Sequence, residues 1–157
     1  MQIAVISDTH RFNYVLNQLL DIVKDTDMII HLGDNTEDIE FFKGKYNGEI
    51  INVRGNCDFG NSAPVERLEI IEGKRVFITH GHRYDVKYDL NSIKYKAQEV
   101  QADIVLFGHT HESLVIFEQG IWFVNPGSAA LPRDFSKSIA LLNIDNKNID
   151  INIKKLK

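Results

Sequence analysis

A single cysteine, Cys57, leaves this chain without any internal disulfide. That argues against a disulfide-built secreted domain. No apolar run approaches the roughly 20 residues that a membrane span needs. The opening MQIAVISDTH shows neither a basic n-region nor a cleavage pattern. A basic excess is missing too: the formal charge is −4, and the clustered lysines (Lys94 and Lys96; Lys154, Lys155 and Lys157) form no extended stripe. A nucleic-acid binder relying on backbone electrostatics would carry more. Linkers, repeats and low-complexity tracts are also lacking. These absences predict a soluble cytoplasmic protein with one domain over 1–157 and no membrane association, and they argue against a nucleic-acid partner.

What is present suffices for a core. With 157 residues and 43% apolar content, the chain can bury about two-thirds of its unfolded surface. Short apolar runs alternate with amphipathic stretches. Strands are predicted at Ile3 to Ile6, Met28 to Ile30 and Ile50 to Val53. The spacing of Val15, Leu16, Leu19, Leu20 and Val23 predicts a helix with one apolar face. A short helix is expected from Asp38 to Tyr46 and a third from Asp89 to Gln101, with Ile93, Ala97 and Val100 inward. Leu68 to Ile71 and Val76 to Ile78 flank a hairpin turn at Glu72-Gly73-Lys74. Further strands are expected at Ile104 to Phe107, Leu114 to Phe117, Ile121 to Val124, Ser138 to Ile144 and Ile149 to Ile153, with Gly120 marking a second hairpin. The β-α-β-α-β beginning favours parallel strands and the hairpin-rich remainder antiparallel ones. The fold class is therefore α/β; the pattern allows either two facing sheets or one large mixed sheet.

Polar residues able to bind metal follow five of these strands. Asp8 and His10 follow the first, Asp34 the second, Asn56 the third, His80 the Val76 to Ile78 strand, and His109 and His111 the Ile104 to Phe107 strand. Parallel strands deliver their C-terminal ends to one edge of a sheet, so ligands distant in sequence can converge. Each motif alone has an ordinary reading: Asp8-Thr9-His10 as a helix cap, Gly33-Asp34 and Gly55-Asn56 as turns, Gly108-His109-Thr110-His111 as a solvated loop. Together they carry more weight, because five of the six histidines lie in such loops. Gly33, Gly55, Gly81 and Gly108 would permit close backbone approach beside a crowded centre.

The ordered series D-x-H, GD, GN, H and GH-x-H resembles the calcineurin-like metallophosphoesterase superfamily. Asn56-Cys57-Asp58 and Asn125-Pro126-Gly127-Ser128 look most like its small bacterial and archaeal phosphodiesterase branch, to which the non-catalytic retromer scaffold subunit is structurally related. The resemblance implies a four-layer αββα sandwich with two mixed sheets. It also implies two divalent ions: Asp8, His10 and His111 on one, Asn56, His80 and His109 on the other, with Asp34 bridging. His31 is expected not to be a ligand but to be structural or to support the ligands from behind, and His82 to support them from behind. The implied activity is hydrolysis of a small phosphodiester by a hydroxide between the two ions; monoesters, nucleic-acid cleavage and a non-catalytic scaffold role are the alternatives. Nitrogen and oxygen ligands suit Mn²⁺, favoured here, or Ni²⁺, Zn²⁺ or Fe²⁺.

Many family members have histidine where this chain has Cys57. A neutral thiol can donate a proton but offers no imidazolium. Cys57 lacks a C-x5-R phosphate cradle and is not expected to be the nucleophile. Asp34, Asn56, Cys57 and Asp58 form the expected catalytic group, Asp58 with an orienting part. Arg133 and Arg83 are expected to hold substrate phosphate. A homodimer is expected, with Trp122 either at the interface or under an outer helix.

Overall fold

The computed structural model describes residues 1–157. All ten expected strands are present: β1 Gln2–Ile6, β2 Met28–His31, β3 Glu49–Asn52, β4 Glu66–Ile71, β5 Lys74–Thr79, β6 Ile104–Leu106, β7 Ser113–Glu118, β8 Ile121–Pro126, β9 Ser138–Ile144 and β10 Ile149–Lys155. The helices are α1 Asn13–Val23, α2 Ile39–Phe42 and α3 Asn91–Glu99. Two 3₁₀ turns, Thr36–Asp38 and His82–Tyr84, were not anticipated.

The strands form two five-stranded mixed sheets, β10-β9-β1-β2-β3 and β4-β5-β6-β8-β7. In the first, β1, β2 and β3 are parallel, while β9 and β10 run antiparallel. In the second, β5, β6 and β8 are parallel and flanked by antiparallel β4 and β7. Strand alternation settles the layering. Ile3, Val5, Met28 and Ile30 of the first sheet meet Val76, Ile78, Ile104 and Leu106 of the second in one buried core. The opposite faces turn outward: Ala4, Ile6 and Ile29 pack under Val15, Leu16 and Leu19 of α1, and Phe77, Val105 and Phe123 under Ile93 and Ala97 of α3. Period-two strands with both faces apolar must be covered on both sides. The result is the expected αββα sandwich.

Two helices are shorter than predicted. In place of a helix to Tyr46, the chain forms the Thr36–Asp38 turn and a single α-helical turn; Lys43 is already extended and Gly44 left-handed at φ +75°. This frees Tyr46 to turn inward, where its hydroxyl donates to Thr26 O at 2.8 Å. Helix α3 stops before Gln101, whose φ of +53° is incompatible with continuation. Two of the three hairpins, β4-β5 and β7-β8, turn on Glu72-Gly73 and Gln119-Gly120, every residue of which has positive φ, as two-residue turns of this class require. Trp122 is under neither outer helix. Its neighbours Ile121 and Phe123 face α3, while Trp122 is half-buried against the inter-sheet core, its ring centroid 4.8 Å from that of Phe117. No helix is long and apolar enough to cross a membrane.

Candidate metal centre

Parallel β1, β2, β5 and β6 end at a common edge, and the loops leaving them converge there. Backbone contact is close. A Cβ on Gly55 would lie 2.1 Å from Asp34 Oδ1, and one on Gly108 would lie 2.2 Å from Ser7 Oγ, so these two positions need glycine for lack of space. Asp8, His10, Asp34, Asn35, His109 and His111 have φ between +50° and +73° without being glycine. Each such residue costs of order 1–3 kcal/mol and persists only when its surroundings impose it.

Two groups of ligand atoms result, each lying within 4.8 Å of one another: Asp8, His10, Asp34 and His111, and Asp34, His80 and His109. Asp34 belongs to both. His111 Nε2 is 3.0 Å and His10 Nε2 3.9 Å from Asp8 Oδ1, and His80 Nε2 is 3.5 Å from Asp34 Oδ2. His109 Nδ1 and His80 Nε2 are 3.2 Å apart. Asn56 is exposed on the loop after β3; its amide nitrogen points to Cys57 Sγ at 3.6 Å.

Neighbouring groups aim these atoms inward. Ring Nδ1 of His80 and of His111 meet the carbonyls of Leu32 and Leu131 at 2.8 and 2.7 Å. A carbonyl only accepts, so Nδ1 carries the proton and each Nε2 is left to face the cluster. Each carboxylate is likewise held by one oxygen: Asp8 Oδ2 accepts from Ser7 Oγ, and Asp34 Oδ1 from the Cys57 amide at 3.0 Å. His10 Nε2 is buried without a hydrogen-bond partner, and Asp8 Oδ1 is faced only by the ring nitrogens of His111 and His10. Ring nitrogens converging on the same carboxylates would be satisfied by a cation, and the mixed nitrogen and oxygen set fits a first-row divalent metal.

Electrostatics agree. Burial alone would raise the Asp8 carboxyl, but contact with His111 and the charges of His80 and His111 outweigh it and hold Asp8 below its ordinary value. Asp34 is depressed in the same way, chiefly by His80 against the opposing effect of burial. His80 is raised because its contact with Asp34 and the charge of Asp8 overcome burial, and His111 is raised mainly by Asp8. His109 goes the other way, to about 4, through burial and the charges of His80 and Lys87.

Other expected residues fall at different distances from the chemistry. Asp58 is a clamp: one oxygen accepts from the amides of Asp34 and Gly55, the other from Asn35 and Thr36, all at 2.7–2.9 Å. Four amides occupy its lone pairs, so it fixes the Asp34 loop and has no free face for substrate. Cys57 is an exposed free thiol whose pKa is pushed up to about 11 by partial burial and then by Asp34, Asp58 and Asp8. Arg133 is exposed, and its amide donates to His111 O at 2.9 Å. Arg83 is exposed beside His82, whose pKa is lowered by burial, His80, Arg83 and Arg54. The His82 ring lies 5.5 Å from His80 and 6.1 Å from His109.

Sequence reasoning missed several anchors. Ser128 Oγ donates to Asp8 O at 2.9 Å, and Asn125 Nδ2 donates to Gly108 O at 3.0 Å. Both belong to the Asn125-Pro126-Gly127-Ser128 segment, so a motif had pointed to them without giving a role. Thr9, which donates to Asp38 Oδ2, likewise lies inside the Asp8-Thr9-His10 motif without having been given this role, whereas Asp38 had no such signal.

An αββα sandwich with clustered metal ligands at its strand ends defines a metallophosphoesterase-type protein. The description calcineurin-like phosphoesterase superfamily domain matches residues 1–147, and the chain belongs to this family. It is 33% identical, over 98% of its length and 91% of the relative's, to a probable metallophosphoesterase of Methanothermobacter thermautotrophicus. With the probable metallophosphoesterase YsnB of Bacillus subtilis it shares 32% identity over 93% of this chain and 86% of the other. Among solved structures, a predicted phosphoesterase of Streptococcus pneumoniae superposes with a TM-score of 0.84 at 30% identity, covering 98% of this chain and 88% of that one. Zinc-complexed Vps29 of Entamoeba histolytica shares the fold, with a TM-score of 0.82 at 21% identity over 99% and 98% of the two chains.

Proposed function

We propose that the protein is a metal-dependent phosphodiesterase using two divalent ions, with Mn²⁺ the favoured activator. The observation that carries this reading is the pair of ligand groups sharing Asp34. Asp8, His10 and His111 would hold one ion, His80, His109 and Asn56 the other, and Asp34 both. When bound, two such ions supply Lewis acidity and lower the pKa of water, making hydroxide available near neutral pH. The protein's part is preorganisation. Leu32 and Leu131 carbonyls fix the ring tautomers, Asp58 holds the Asp34 loop, and Ser7 and the Cys57 amide keep the carboxylates turned inward.

Arg133 and Arg83 are the proposed phosphate contacts, and Arg54 and Lys87 add positive charge beside His82 and His109. This rim draws an anion to a chain that is acidic overall. The Cys57 thiol stays protonated at neutral pH, which suits it to give a proton to a departing alkoxide and not to attack phosphorus. Chelation should abolish hydrolysis of a chromogenic aryl diester, and added Mn²⁺ should restore it; activity in rigorously metal-free protein would sink the proposal. A scaffold role is the second reading, favoured by the fold shared with Vps29. Tight metal binding with no turnover of any diester or monoester would establish it. The homodimer remains part of the proposal, and a solution mass staying near 18.0 kDa at high micromolar concentration would remove it.

A further inference from the structure

Behind the ligand cluster lies a buried polar chain that the proposed chemistry does not use. His31, the last residue of β2, has no exposed surface. Its Nδ1 accepts the Gly33 amide proton at 3.2 Å, and its Nε2 lies 3.1 Å from Thr9 Oγ1. Burial keeps this imidazole below its ordinary pKa and therefore neutral, against the opposing charges of Asp38, Asp58 and Asp8. A neutral ring that accepts at Nδ1 carries its proton on Nε2. Nε2–H therefore donates to Thr9 Oγ1, and the Thr9 hydroxyl proton is left for Asp38 Oδ2 at 2.5 Å. The same Asp38 oxygen accepts the Arg11 amide at 2.9 Å. Donation runs from Gly33 through His31 and Thr9 to Asp38, and from Arg11 to the same Asp38 oxygen.

The two ends of this chain are the two ligand loops. Thr9 sits between Asp8 and His10, and Gly33 immediately precedes Asp34. Asp8, His10 and Arg11 have φ of +55°, +50° and +61°, and Asp34 has +56°, so both loops are held away from relaxed backbone. The only other backbone link between these loops is Asp8 N to Gly33 O at 3.1 Å. On this geometry, and resting on the two-ion reading above, we propose that His31 is a positioning residue. Through Thr9 and Gly33 it sets the Asp8-Thr9-His10 loop against the Asp34 loop, at the spacing a shared Asp34 requires. A buried histidine that merely fills the core would touch neither loop through a directed hydrogen bond.

The test uses the full chain and three substitutions. Thr9→Ser keeps the hydroxyl, Thr9→Val removes it at nearly constant volume, and His31→Gln keeps a donor toward Thr9 while losing the Gly33 contact. In metal-free protein, ring ¹⁵N shifts should show His31 as the Nε2–H tautomer. Thr9→Val should displace the amide signals of Asp8 and His10 and also, across His31, those of Gly33 and Asp34; Thr9→Ser should leave them near wild type. Calorimetry with Mn²⁺ should show Thr9→Val and His31→Gln weakening one of two binding events by 10–100-fold, the usual cost of losing an outer hydrogen-bond partner. Thr9→Ser should stay within about threefold on the same scale.

An Nδ1–H tautomer would overturn the inference. So would Thr9→Val loading both ions like wild type while merely melting at a lower temperature. If wild-type protein bound no ion, the two-ion reading would fall by itself. The metal-free amide shifts would then still decide the coupling of the loops, and should His31→Gln not fold, the Thr9 pair decides alone.

Discussion

The two ends of the sandwich use the same unusual backbone for different purposes. At the hairpin end, positive φ falls on Glu72-Gly73 and Gln119-Gly120, where a two-residue turn demands it and a glycine in each pair lowers its cost. Nothing lies within 4 Å of a Cβ built on Gly73 or Gly120. At the metal end, positive φ falls on Gly33 and Gly81 but also on Asp8, His10, Arg11, Asp34, Asn35, His109 and His111, which are not glycine. There, hydrogen bonds accepted by Asp58, donated by Ser128 and Asn125, and running along the His31 chain hold the backbone around the candidate ligands. One end satisfies local turn geometry; the other is held by contacts between distant segments.

That contrast can be broken most sharply at Asp34. Asp34→Ala removes the ligand common to both groups and should lower kcat/KM for an aryl diester on the order of 10³-fold or more, about 4 kcal/mol. Metal content should drop while the circular dichroism spectrum stays unchanged; retention of both metal and activity would remove Asp34 from the bridging position. A comparable energy, spent on stability, is expected in the shared core. Ile30→Ala, between the sheets, should cost about 2–5 kcal/mol in denaturant unfolding, and a cost under about 1 kcal/mol would contradict the packing described.

The metal end should also answer to pH where the hairpin end does not. His80 and His111 are raised, so in metal-free protein their contribution is full below the ordinary histidine value and is lost as pH climbs through the raised values. Asp8 is lowered; its contribution holds above the ordinary carboxyl value and is lost as pH falls through the depressed one. Metal binding must displace the histidine protons, so the stabilisation added by Mn²⁺ should grow as pH rises from mildly acidic toward alkaline. Thermal unfolding with and without the ion at several pH values measures it, and a stabilisation that shrinks with pH would refute the assignment.

Smaller effects complete the comparison. Gly73→Ala meets open space but places a side chain at φ +77°, and should cost about 1–2 kcal/mol through backbone strain alone, with metal affinity unchanged. Altered metal binding in that variant would mean the ends are coupled. Cys57→Ser keeps the backbone amide that holds Asp34. It should change aryl diester hydrolysis by less than about threefold, since a good leaving group needs little proton donation. A larger loss would make Cys57 a direct participant.

The pattern of apolar runs was enough to find every strand, because strands apolar on both faces and short hairpins with glycine leave strong local signals. It gave the ends of α2 and α3 less well: Lys43 turns extended to release Tyr46, and Gln101 turns left-handed, both decisions of the surrounding fold. The ligand candidates were legible for a related reason. Asp, Asn and His immediately after a parallel strand have one edge on which to gather. Composition could not say that Asp58 spends all its lone pairs on four amides, that Trp122 turns toward the inter-sheet core, or that His31 faces Thr9 on one side and Gly33 on the other. Those facts depend on contacts between residues far apart in the chain, which local spacing does not encode. The sequence by itself therefore determined the strands, the family and the set of candidate ligands. Tertiary structure alone decided how the ligand atoms are aimed, because aim is set by buried hydrogen bonds that exist only once both sheets have closed.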